Sequence, residues 1–86
     1  MSNDRKRREN EEKFGNWREL PAGGRCYFLD VPGLHGWTAR YVKEVDAEET
    51  TLRFFQEIYD EARHLVEIHE KYPVDRGHIR VERKGS

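Results

Sequence analysis

Four turn-forming stretches, centred near residues 34, 48, 61 and 75, cut the chain into short runs rich in β-forming residues. Even punctuation of this kind is what neighbouring antiparallel strands produce. Arg25–Val31 is the first such run, and Pro32-Gly33-Leu34-His35-Gly36 turns the chain. Trp37–Val45 then alternates, with Trp37, Ala39, Tyr41 and Val45 on one face and Lys43 the exception. Thr38, Arg40, Val42 and Glu44 form its other face. Asp46–Thr50 turns into a strand at Thr51–Tyr59, and His64–Tyr72 follows. In that last run Val66, Ile68 and Tyr72 share one face, and Leu65, Glu67, His69 and Lys71 the other. Pro73–Gly77 is a further turn, before a short strand at His78–Arg83. The weak joint is Asp60–Arg63, which lacks a glycine or asparagine.

A competing reading makes residues 47–71 one helix, with Asp46 and Glu49 as a capping pair. Leu52, Phe55, Tyr59, Ala62 and Val66 would then share a face with Ile58 and Leu65, and Pro73 would end it. Size argues against it. Such a helix would span about 37 Å, against roughly 27 Å for a compact core of this size. Thr50-Thr51 and the density of Phe, Tyr, Ile and Val also favour strands. The expected fold class is therefore α+β, an antiparallel β-meander of four to five strands with a short N-terminal helix or disordered arm.

Apolar residues are unevenly spread. Residues 1–13 hold none but Met1, whereas all ten aromatic residues lie at or after Phe14. The expectation is a charged arm over 1–13 and one small domain over 14–86, anchored at its start by Phe14 and Trp17. A net charge of −1 conceals segregation. Residues 46–70 carry eight acidic side chains against Arg53 and Arg63, while Arg76, Arg80, Arg83 and Lys84 make the C-terminus basic. Cys26 is the sole cysteine, so no intrachain disulfide forms, and its apolar neighbours make it a core side chain. No apolar stretch is long enough for a membrane span and no signal peptide is visible, which points to the cytoplasm and no membrane partner.

No P-loop, GxGxxG, HExxH, CxxC or GxSxG motif is present. His64 and His69, five apart, suit a metal in neither a strand nor a helix, so no metal and no cofactor is expected. His69 and His78 flank the last turn and would face each other across a hairpin. With Tyr72, Lys71, Arg76 and Arg80 they assemble the groups a metal-independent ribonuclease needs: His or Tyr to move protons, and cations to stabilise the phosphorane. The plainer reading is a set of polar residues on a solvent-facing strand. Arg76, Arg80, Arg83 and Lys84, with Arg5-Lys6-Arg7-Arg8 in the arm, are candidates to grip nucleic-acid phosphates. The acidic middle would repel nucleic acid and suits a basic protein partner.

The segment Phe54-Phe55-Gln56-Glu57-Ile58-Tyr59-Asp60-Glu61, then Leu65–Pro73, then Gly77-His78, reads as strand, turn and strand ending in a His- and Pro-containing tail. In outline this resembles small bacterial toxin–antitoxin proteins of the TumE-like family, over residues 37–80. The resemblance implies paired β-strands and an intracellular toxin–antitoxin or phage-defence setting, and it transfers no catalytic residue. The leading expectation is a small interaction module without catalysis that binds a protein partner. The alternatives are a small ribonuclease using His69, His78 and Tyr72, or a nucleic-acid-binding protein using its basic ends. A second copy of the chain is a further partner these features allow.

Overall fold

The computed structural model describes residues 2–74 and 77–81, with Ser2 and His78 described by backbone alone. Six strands form one antiparallel sheet in sequence order: β1 (Asn16–Glu19), β2 (Arg25–Pro32), β3 (Thr38–Val45), β4 (Thr51–Tyr59), β5 (Leu65–Tyr72) and β6 (Gly77–Arg80). One helix, α1 (Ser2–Phe14), precedes them. The meander expected from the turn spacing is present, and residues 47–71 form two strands and a turn rather than one helix. The sequence reading did not include β1, which pairs with β2 from Asn16↔Phe28 to Glu19↔Arg25.

Two turns share one device. Oδ1 of Asp46 accepts hydrogen bonds from the amides of Glu48 and Thr50, each at 2.9 Å. Oδ1 of Asp60 accepts from the amides of Ala62 and His64 at the same length. In both, the residue three positions after the aspartate turns left-handed: Glu49 at φ 63° and Arg63 at φ 68°. The aspartate organises the loop through its own side chain, so Asp60–Arg63 closes without glycine. The His64 and Ala62 amides hold the Asp60 carboxyl below its ordinary value.

The register sorts side chains onto two faces. Trp17, Tyr27, Lys43, Phe54 and Tyr72 are successive partners across β1 to β5 and form a row on the face that α1 partly covers. Phe14, Tyr27 and Val45 are buried there, with Leu29, Tyr41 and Phe54 against them. The opposite face buries Cys26, Val42 and Phe55 beside Leu20, Phe28 and Ile68. Two details differ from strict alternation. Lys43 keeps its place on the α1 face because its ammonium donates to Oδ1 of Asn10 at 3.0 Å. A bulge between the Phe54↔Tyr72 and Phe55↔Glu70 pairs moves Tyr72 onto the face of His69 rather than that of Ile68.

The first residues therefore form a helix, although they have no apolar stripe. Polar contacts dock it. Glu49, whose side chain is fully buried, accepts hydrogen bonds from the Tyr27 hydroxyl at 2.7 Å, Nδ2 of Asn10 at 3.1 Å and Nε of Arg7 at 3.2 Å. Arg25 donates to Glu11 at 2.7 Å, lies over the Trp17 ring, and forms an ion pair with Glu19 at 3.0 Å. Burial alone pushes the Glu49 carboxyl up, but the bonds from Tyr27, Asn10 and Arg7 outweigh it and hold the group below the ordinary glutamate value.

Replacing Glu49 with Ala leaves Tyr27, Asn10 and Arg7 without their acceptor and should cost about 3 kcal/mol in urea unfolding. Because the folded pKa of Glu49 is depressed, its contribution is fully present above the unfolded value of about 4.3. Wild-type stability should fall as pH drops below that value through the folded pKa, and Glu49→Gln should flatten the decline. Arg63→Gly removes a left-handed strain without touching that network, and should raise stability by about 0.5–1 kcal/mol.

Candidate functional site

The hairpin of β5 and β6 carries four of the residues the sequence singled out: His69, Tyr72, His78 and Arg80. His69 is half-buried on β5, with Gln56 of β4 as its ladder partner on one side and His78 of β6 on the other. Arg80 is exposed and pairs in register with Glu67. Tyr72, 47% exposed, lies opposite Phe54, one pleat repeat along β4 from Gln56. Arg76, Arg83 and Lys84 lie outside the described residues. Among the described residues, no group of three or more His, Cys, Asp or Glu is arranged to hold a metal ion.

Several depressions mark the described part of the protein, and three of them bear on function. The first, of about 310 Å³, is on the face away from α1. Phe28, Val42 and Phe55 floor it, and Arg18, Arg40, Glu44 and Glu57 surround it. Arginines at and beside it are held by carboxylates and rings. Arg40 pairs with Asp30 through two bonds of 2.6 and 2.9 Å and covers the Phe28 ring at 5.3 Å. Arg53 lies 4.2 Å over the Phe55 ring and pairs with Glu70. These arginines act as lids for an apolar face that has no second layer.

The second depression, of about 290 Å³, lies beyond the reach of α1 at the other end of the helix-bearing face. Leu34, Trp37, Ala39 and Ile58 line it, and no charged side chain except that of His35, when protonated, does so. Leu34 is 80% exposed. The loop that presents it is fixed by Gly33 N–H donating to the Trp37 carbonyl at 2.7 Å and Trp37 N–H donating to the Leu34 carbonyl at 3.0 Å. The Trp37 indole donates to Glu61 at 3.2 Å, which ties the two turns at this end together. Glu61 is exposed, and Glu67 pairs in register with Ile58, so the hollow has an acidic margin.

The third depression, of about 470 Å³, opens between the last turn of α1 and strands β4 and β5. Sequence reasoning identified neither of these last two depressions. Leu34 was legible as an apolar side chain at a turn tip, where no core can receive it. The third site had no such signal, since it joins residues from four separate elements.

No family model, curated protein or solved structure matches the chain. Among the described residues, no helix is long and apolar enough to cross a membrane. If the fold does not need Leu34, Leu34→Ser should change the unfolding free energy by no more than about 0.5 kcal/mol. Thermal and urea melts of that variant check the point.

Proposed function

We propose that this chain is a small, non-catalytic interaction module of a bacterial accessory or toxin–antitoxin-type system that binds a protein partner in the cytoplasm. The observation that carries this reading is the rigidly presented, 80% exposed Leu34 at the lip of an apolar hollow. Leu34 extends the apolar lining of Trp37, Ala39 and Ile58 into water, and an exposed apolar patch of this kind supports a contact-surface reading. Glu61 and Glu67 at its margin favour a partner that offers an apolar anchor flanked by Lys or Arg. The eight acidic side chains of residues 46–70 favour the same charge. The outline resemblance to TumE-like proteins supports the toxin–antitoxin setting.

Tagged protein from its native host should retain a basic partner chain, identified by mass spectrometry. Leu34→Asp should lose it, and Arg18→Ala, on the opposite face, should keep it. Equal retention by all three proteins would sink the reading. Sedimentation that shows a dimer dissolved by Leu34→Asp would make the partner a second copy of the chain.

A second reading has one observation in its favour. His69 and His78 are direct ladder partners, with Tyr72 one pleat repeat away. A ribonuclease reading requires purified protein to cleave single-stranded RNA without metal, and His69→Ala to abolish cleavage while the fold persists. No cleavage by clean protein rejects it.

A further inference from the structure

We propose that the cleft between the end of α1 and strands β4 and β5 binds a nucleotide, its base on Phe54 and Tyr72 and its phosphate held by Lys13 and Lys43. Lys43, Phe54 and Tyr72 are consecutive partners across three strands, so a cation and two aromatic rings lie in one row. Phe14 lines the cleft from the helix side, and Thr50 and Thr51 complete its lining. Lys71 adds a third ammonium, 5.7 Å from the Phe54 centroid and 5.3 Å from that of Tyr41.

No carboxylate among the described residues contacts these cations directly. Among the described residues, none of the three ammonium groups forms an ion pair with a carboxylate. Lys43 is bonded to the neutral amide oxygen of Asn10. Glu49, which lines a neighbouring depression with Lys43, already serves Tyr27, Asn10 and Arg7. Burial first and Lys13 second push the Lys43 ammonium below its ordinary value, while Glu49 and Glu9 pull weakly the other way. An anion between Lys13 and Lys43 relieves that tension. Lys13 also offsets the partial negative charge at the C-terminus of α1.

The aromatic floor then selects among anions. Inorganic phosphate would leave Phe54 and Tyr72 unused, whereas a base stacks on them and carries its phosphate toward the lysines. A cleft of about 470 Å³ has the size of a small-molecule site. A free nucleotide and one unit of single-stranded RNA share this chemistry.

The test titrates the full chain with AMP, adenosine, inorganic phosphate and oligoadenylate, followed by NMR and calorimetry at low salt. AMP should bind about tenfold or more tighter than adenosine or phosphate, and added salt should weaken it. Tyr72→Ala and Lys13→Ala each alter an exposed side chain, and each should weaken AMP by about tenfold. Tyr72→Phe and Arg18→Ala should bind like wild type, and melting curves confirm that each variant is folded. Tighter binding of oligoadenylate, with the same dependence on Tyr72 and Lys13, identifies an RNA strand as the source, and equal or weaker binding identifies a free nucleotide. The proposal is overturned if AMP fails to saturate, binds no better than adenosine or phosphate, or is unaffected by Tyr72→Ala and Lys13→Ala.

Discussion

The buried carboxylate of Glu49 is the contact on which the two-layer part of this protein depends. A helix with the sequence of α1 has no apolar stripe, and thirteen residues in isolation form only a marginal helix. Glu49 gives three donors one acceptor, and two of those donors, Arg7 and Asn10, belong to α1. Charge-assisted bonds in a dry site are stronger than their solvated counterparts, and their geometry fixes where the helix lies. Phe14 is thereby placed over Tyr27 and Val45, which completes the core cluster on that face. The left-handed backbone at Glu49 belongs to the same arrangement, since the Asp46 turn aims its side chain inward.

A single sheet partly covered by one helix leaves much apolar surface to manage. The protein covers it with long cations instead of a second layer. Arg40 lies over Phe28 and Tyr59, Arg53 over Phe55, and Lys71 over Tyr41. Each keeps its charge near water while its stem shields a ring. Carboxylates then pair the arginines, as Asp30 does for Arg40 and Glu70 for Arg53. Among the described residues, Lys13 at the end of α1 and Lys43 beside it on β3 are not paired in this way. The binding surfaces proposed above lie where coverage stops: the Leu34 hollow beyond the reach of α1, and the lysine-rimmed cleft beside its last turn.

The elements most legible in the sequence were those whose signal is local. Trp37–Val45 alternates with period two, Thr51–Tyr59 is dense in β-forming residues, both are bounded by turn residues, and both are strands within one residue of the expected ends. Asp60–Arg63 was harder because its turn uses an aspartate side chain where a glycine was sought. Asn16–Glu19 was missed because four polar and aromatic residues carry no period. His69 and His78 were legible as neighbours once the last hairpin was drawn, because pairing follows from turn position. The face of Tyr72 was not, since a one-residue bulge reverses alternation and leaves no mark in composition.

The sequence by itself pointed to a meander from Arg25 onward and to its turn positions, because antiparallel neighbours are specified by alternation and by short-range turn chemistry. It also determined that Cys26 would be buried, from the apolar run around it. Only the tertiary structure decided that the charged N-terminus docks as a helix, that Lys43 stays on an otherwise apolar face, and that a glutamate from an acidic stretch becomes the most buried charge. Those outcomes rest on partners 22 to 42 residues apart. A charged side chain is stable away from water only when several such partners converge on it, and no local pattern records that convergence.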